Sequence, residues 1–243
     1  MKNNNDSVAK VNKMAKTANT YEYTRPADIE KESMRIIESE LALRGIDIPE
    51  EHLTVVKRVI HTTADFDYGE NLHFTKDAVS RVIASLQEGG KTFITDTNMA
   101  LSGISKPSLA KLDAEAICYM AEESIMKQAK EQGTTRAFAS MKRGAEEYPD
   151  AIFVSGNAPT ALIALSDMIR SGLRPALVIG VPVGFVNVVE SKEELFAVCE
   201  EHDVPAIVAF GRKGGSNVAA SICNALLYSA VGTVDPLKRG WQK

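Results

Sequence analysis

Cysteine is scarce: Cys118, Cys199 and Cys223 are the only three in 243 residues. None stands in a C-x-x-C pair, and the number is odd. That pattern argues against a disulfide framework or a cysteine-built zinc site. Small core residues in a reducing compartment are what remains. Long apolar runs are missing as well. None approaches the ~20 residues of a membrane span. The opening "MKNNNDSVAKVNKMAKTANTY" is polar and has no apolar signal-peptide core. Residues 1–20 therefore read as a loose extension, and the expected location is the cytoplasm. Positive charge is not in excess: 28 Lys and Arg face 32 Asp and Glu, for a net charge of -4. This is not a chain built to coat nucleic acid. It leaves room for a local basic pocket that takes a small polyanion.

What is present is ordinary for a globular protein, with 44% hydrophobic and 25% charged residues. Residues 27–44 read as a helix, with Ile29, Met34, Ile36, Ile37, Leu41 and Leu43 as its apolar positions. Gly45 is a natural stop. "PEEHLTVVKRVIHTT" follows as a second helix, its early glutamates matched to the helix dipole. The third, "TKDAVSRVIASLQEGG", carries Val79, Val82, Ile83 and Leu86 on one stripe. Thr75 is placed to cap its start, and Gly89-Gly90 to end it.

The pattern then changes. Short apolar segments occur at 92–97, 116–120, 151–156, 176–181 and 206–211. Helical stretches lie between them at 122–148, 158–171, 191–203 and 215–229. Continuous apolar strands alternating with helices indicate a parallel sheet covered on both faces. The expectation is an α/β fold: one doubly wound, mostly parallel, five-stranded, flavodoxin-like sheet with extra N-terminal helices. It occupies residues 21–243 as a single domain.

In such sheets, ligands bind beyond the carboxyl ends of the strands. Those ends read "DTNMALSGISKPS", "SGNAPTAL", "GVPVGFVNVVESKEE" and "GRKGGSNVAAS". Each leads towards a helix, whose N-terminus offers N–H groups to anions. A broad site for a ligand bearing several carboxylates or phosphates fits them. Neither "GRKGGSN" nor "GNAPTA" has the G-x-x-x-x-G-K-[ST] or G-x-G-x-x-G spacing of a nucleotide loop. Tight turns required by any α/β fold would look similar at each loop taken alone.

His61 closes the second helix, at the margin of its buried stripe. Modest surroundings decide whether such an imidazole gives or takes a proton. It is equally a satisfied helix-end histidine on position alone. As a metal ligand it has no support: His52, His73 and His202 bear no i, i+4 relation to it. Asp65 and Asp67, just after it, read as turn residues. Arg58 lies one turn before His61, either as a surface arginine or as a partner for a substrate carboxylate.

Seven segments together resemble one family: "RPADIEKESMRII", "VVKRVIHTTADFDY", "ITDTNMALSGI", "GTTRAFASM", "VSGNAPTALIAL", "VIGVPVGFVNVVESKEEL" and "VAFGRKGGSNVAASICNAL". They are similar to precorrin-8X methylmutase, also called cobalt-precorrin-8 methylmutase, of cobalamin biosynthesis, over residues 21 to 230.

The resemblance implies an isomerase. A methyl group migrates between adjacent ring C carbons of a corrinoid, giving hydrogenobyrinate or cobyrinate. No cofactor is implied; cobalt, where present, arrives inside the substrate, and no metal site is expected. The family's proton-handling histidine falls on His61, and its substrate-contacting serine and arginine on Ser33 and Arg58. Further candidate substrate-binding residues lie in the same segments: Arg25, Asp96, Thr97, Met99, Arg136, Asn157, Pro182, Gly184, Phe185, Gly211, Gly214 and Gly215. The implied partner is a second copy of the chain, in a homodimer with a shared pocket. A non-catalytic corrinoid carrier on the same fold is the alternative reading. A nucleotide-binding enzyme is disfavoured by the broken phosphate motifs.

Overall fold

The computed structural model describes residues 23–239. The expected extension at 1–20 lies outside the described residues. Eleven α-helices and six strands follow one another along the described chain. Helix α1 (Pro26–Arg44) and α2 (Glu50–Thr63) come first, then the single turn α3 (Tyr68–Asn71). Next are β1 (Leu72–Phe74), α4 (Ala78–Gln87), β2 (Thr92–Thr95), α5 (Asn98–Gly103), α6 (Lys106–Lys111) and β3 (Glu115–Ile117). The rest alternates: α7 (Glu123–Glu131), α8 (Arg136–Glu147), β4 (Ile152–Ser155), α9 (Pro159–Arg170), β5 (Leu177–Gly180), α10 (Val188–Glu201), β6 (Ala206–Ala209) and α11 (Ser216–Ala230).

The sheet has six strands in the order β1-β6-β5-β4-β2-β3. Five of them, β2 to β6, are parallel, at the expected segments. The expected count of five is corrected by β1, which pairs antiparallel with β6, Leu72 opposite Ala209. At three residues, "LHF" is too short for an apolar alternation to show. Thr75 is a second correction. It does not cap α4, which begins only at Ala78 after Asp77 in the left-handed region. Its hydroxyl instead donates to Val204 O and accepts from Ala206 N, tying the end of β1 to β6. The single helical stretch expected at 122–148 is two helices, broken at Gly133 with φ +63°.

Alternate residues of each parallel strand enter two cores. Phe93, Ile152, Val154, Ile179 and Ile207 pack on one face with α2, α4 and α11. Ile94, Phe153, Val178 and Val208 pack on the other, against residues of α7 to α10. Every residue of β2, β4, β5 and β6 is buried. This is why those strands read as continuous apolar runs. The sheet order reverses between β2 and β4, the place where open α/β sheets bind ligands beyond the carboxyl ends of their strands.

Candidate functional site

Helix α2 buries Val55, Val56, Val59 and Ile60 and ends because Ala64 turns left-handed, with φ +53°. His61 follows the last of these core residues, so it comes to the edge of the core half-buried. Helix α1 presents Ser33 to it. Ser33 Oγ lies 2.7 Å from His61 Nδ1. Both residues line a cavity of about 600 Å³ between the two helices. Its wall is largely apolar: Ile29, Ile36, Ile37, Ile60 and Phe66, with Tyr23 alongside. Glu32 and Glu40 supply its acidic rim. A cavity of this size with an apolar wall and few polar groups is the usual form of a small-molecule site.

Burial lowers the His61 pKa below its ordinary 6.5. The charges of Arg58 and Arg239 lower it further, and only Glu30 opposes them. The imidazole is therefore mostly neutral at pH 7.

Arg58 points away from this cavity. Its Nη2 donates to Glu30 Oε1 at 2.6 Å, and it lines a neighbouring cavity with Lys31, Met34 and Pro236. Arg239 Nη1 reaches both oxygens of the same carboxylate, at 2.7 and 2.8 Å. Burial pushes the Glu30 carboxyl up, but hydrogen bonds and charge from the two arginines outweigh it and hold it below the usual range.

The strand ends form a second group. Asp96, at the end of β2, is fully buried. Its carboxylate accepts from the backbone N–H groups of Gly156, Asn157 and Ala158, at 2.8 to 3.0 Å, and from the Ser155 hydroxyl. Burial raises its pKa against these bonds. The amides beyond β4, expected to face an anionic ligand, are thus already taken by the protein's own carboxylate. Thr97 caps α5 by accepting from Ala100 N, and its hydroxyl bonds Ser216 Oγ at 2.8 Å.

The loop after β6 packs on the loop after β5. A Cβ at Gly214 would stand 2.1 Å from Val181 O, so only glycine permits that approach. Lys192 of α10, fully buried, donates from Nζ to Gly211 O and Lys213 O, both at 2.8 Å. Burial lowers its pKa to about 8.

The remaining candidates vary. Pro182 is buried, and Gly184 and Gly215 sit in the same packed loops. Met99 and Phe185 stand out into solvent, 72% and 83% exposed. Arg25 makes an exposed ion pair with Asp28, and Arg136 is exposed at the start of α8. None of the strand-end residues lines the His61 cavity. Lys213 connects the two groups: Nζ contacts both Asp65 and Asp67, just after His61, at 2.6 Å. Those aspartates shape the turn, Asp67 N donating to Asp65 Oδ1, and also support the neighbourhood of His61 through Lys213. Among the described residues no cluster of three or more His, Cys, Asp or Glu could hold a metal ion. No helix there is long and apolar enough to cross a membrane.

Three residues that organise these groups are not evident from the sequence. Glu30 is seven residues before Ile37 on the buried stripe of α1. Lys192 is four after Val188 and three before Leu195, on the buried stripe of α10. A charge at a stripe position was the available signal. Arg239 had none.

Comparison with known proteins decides the family. The family model for precorrin-8X methylmutase matches residues 28–229. The chain belongs to the precorrin-8X methylmutase family. It is 47% identical over 178 residues to the cobalt-precorrin-8 methylmutase of Salmonella typhimurium, covering 73% of this chain and 81% of that one. With the cobalt-precorrin-8 methylmutase of Priestia megaterium, the figures are 39% over 203 residues, covering 83% and 87%. A crystal structure of precorrin-8X methylmutase from Thermus thermophilus superposes with a TM-score of 0.74 at 37% identity. That match covers 84% of this chain and 98% of the other. The family named from the sequence motifs is therefore the right one. Its members are isomerases of cobalamin biosynthesis that shift a methyl group within one molecule, and this chain is one of them.

Proposed function

We propose that this methylmutase moves a methyl group between adjacent carbons at ring C of cobalt-precorrin-8, giving cobyrinate, with His61 as the group that handles the proton. The names of the two relatives above support the cobalt-bearing macrocycle. The observation that carries the site is the Ser33–His61 pair on the wall of a large, mainly apolar cavity.

The substrate is a wide apolar ring edged with carboxylates. The isoleucines and Phe66 suit its face. Migration of the methyl group breaks one carbon–carbon bond and forms another as the double bonds shift. It is redox-neutral and needs neither nucleophile nor added cofactor. The ring has to be held in one pucker and one tautomer, which is catalysis by preferential binding of the transition state. In the metal-free macrocycle His61, oriented through Nδ1 by Ser33, gives its proton or an N–H bond to the ring C nitrogen and draws electron density towards it. In the cobalt form the metal holds that lone pair, and the same N–H polarises the conjugated edge of ring C instead. Such positioned acid catalysis contributes typically ~10²–10⁴-fold, or roughly 3–5 kcal/mol of barrier.

The strand-end residues form the carboxylate-binding rim in this reading. Gly211, Gly214 and Gly215 lend it close backbone, and Arg25 and Arg136 lend it charge. Arg58, engaged by Glu30, ties α2 to α1 instead of meeting a substrate carboxylate. The exposure of Met99 and Phe185 supports a second copy of the chain closing over them, as a homodimer with a shared pocket. The parallel strands, taken in order of appearance, run 2-1-3-4-5, which supports a flavodoxin-like core. One catalytic domain spans residues 21–243 and works in the cytoplasm. The free, buried thiols of Cys199 and Cys223 are consistent with that compartment.

The test is conversion of cobalt-precorrin-8, and separately of precorrin-8X, by wild type and His61→Ala, followed by absorption. Conversion by wild type, with binding but no conversion by the variant, supports the reading. Binding without conversion by both proteins gives the role to a carrier.

A further inference from the structure

Glu30 is a carboxylate buried to 5% exposure that serves two arginines. One, Arg58, sits three residues before His61. The other, Arg239, comes ten residues after the family match ends at 229, in the short 3-10 turn Pro236–Arg239. Arg239 is held on every side. Nε donates to Thr233 O at 2.9 Å and Nη2 to Val234 O at 2.7 Å. Nη1 donates to Glu30, and the guanidinium lies 3.9 Å from the centre of the Tyr228 ring. Arg58 is held far less. Its Nε is buried without a partner, and its anchors are Glu30 and the more distant face of Tyr228, at 5.3 Å.

The spacing matters. Glu30 and Ser33 are one turn apart on α1, and Arg58 and His61 are one turn apart on α2. Two rungs therefore join the helices: Glu30–Arg58 at 2.6 Å and Ser33–His61 at 2.7 Å. Arg239 fixes the carboxylate of the first rung from the far end of the chain.

We propose that Arg239 is a positioning residue for His61: by clamping Glu30 and Arg58 between α1 and α2, the C-terminal turn sets the Ser33–His61 contact. This rests on the reading of His61 as the proton-handling group. Arg239 also brings a second cation to one carboxylate, leaving the cluster with net positive charge beside the imidazole. The charged groups facing His61 are Arg58 on its own helix, Glu30, Glu32 and Glu40 on α1, and Arg239. Glu32 and Glu40 are paired with Arg35 and Arg44, so the Glu30 cluster sets the local balance.

The experiment uses full-length Arg239→Met and Arg239→Lys. The His61 imidazole is titrated by NMR in the substrate-free protein, and kcat and KM are measured. Arg239→Met is expected to move the His61 pKa up towards 6.5 and to lower kcat about tenfold, as misplacement of a reacting group does. Arg239→Lys, which keeps the charge, restores most of the titration and part of kcat. A lower melting temperature with unchanged His61 titration and unchanged kcat would make the turn a stability clamp only and overturn the proposal. Where Arg239→Met does not fold, Arg239→Gln, which keeps donors towards Glu30, is read in the same two ways. The titration needs no substrate. Wild type that fails to convert substrate therefore sinks the functional reading, while the titration still decides whether Arg239 positions His61.

Discussion

Ser33 holds His61 by one ring nitrogen, Oγ to Nδ1 at 2.7 Å, and among the described residues Nε2 makes no hydrogen bond. The serine thus leaves Nε2 as the nitrogen that, in the proposed function, meets the substrate. Ser33→Ala is expected to lower kcat roughly tenfold while changing KM little, since the ring turns but the cavity stays. Loss of the bond costs stability only about 1 kcal/mol. An unchanged kcat would show that the pair is merely a satisfied helix contact.

The pH dependence has a definite sign. An acid works in its protonated form, and burial with Arg58 holds His61 below 6.5. In the free enzyme, kcat/KM should therefore be highest on the acid side and fall as pH rises through that lowered value. Folding runs the other way. The unfolded chain takes up this proton more readily, so His61 favours the fold increasingly as pH rises through that lowered value to 6.5. A kcat/KM profile that is flat from pH 5 to pH 8 would leave only hydrogen bonding by the neutral ring.

Lys192 gives a second, separable window. Its buried ammonium titrates near 8, against 10.5 when free. Between those values the unfolded chain binds the extra proton, so stability rises with pH across that window. The gain is of the order of 2–3 kcal/mol at most. Urea midpoints of wild type and Lys192→Met at pH 7.5 and 10 test this. Parallel shifts in both proteins would mean that Lys192 is not the responsible group.

Two glycines of one loop should respond very differently to alanine. At Gly214 the new Cβ meets a backbone oxygen at 2.1 Å, and the strand-end loops have to part. A loss of roughly 2–4 kcal/mol is expected, with substrate affinity falling too. At Gly211, with φ +76°, nothing lies within 4 Å, and the cost is only backbone strain of about 1–2 kcal/mol. Equal melting temperatures for the two variants would contradict the packed-loop geometry.

The parallel core was legible because β2, β4, β5 and β6 are buried on both faces and so are written in unbroken apolar letters. β1 was not, since three residues paired across most of the chain leave no local period. His61 was legible as a marginal position on α2; the family motifs named Ser33 as a substrate contact, and its pairing with His61 came only from the fold. Sequence distance hid the rest. Nothing near Asp96 announces that it will bond amides sixty residues on. Arg58 looked free to meet a substrate because Glu30 and Arg239 lie far from it along the chain.

The antiparallel pairing of β1 with β6 has a consequence for synthesis. The strand behind the His61 helices finds its partner roughly 130 residues later, a long loop to close. The first quarter of the molecule, with the Ser33–His61 pair already made, therefore waits unanchored until nearly the whole chain has left the ribosome. A product stopped short of β6 carries every residue of the Ser33–His61 pair, yet has no sheet edge to receive it. Its unpaired strands are exposed to other unfinished chains, so premature termination here is expected to yield aggregate rather than a partly active enzyme.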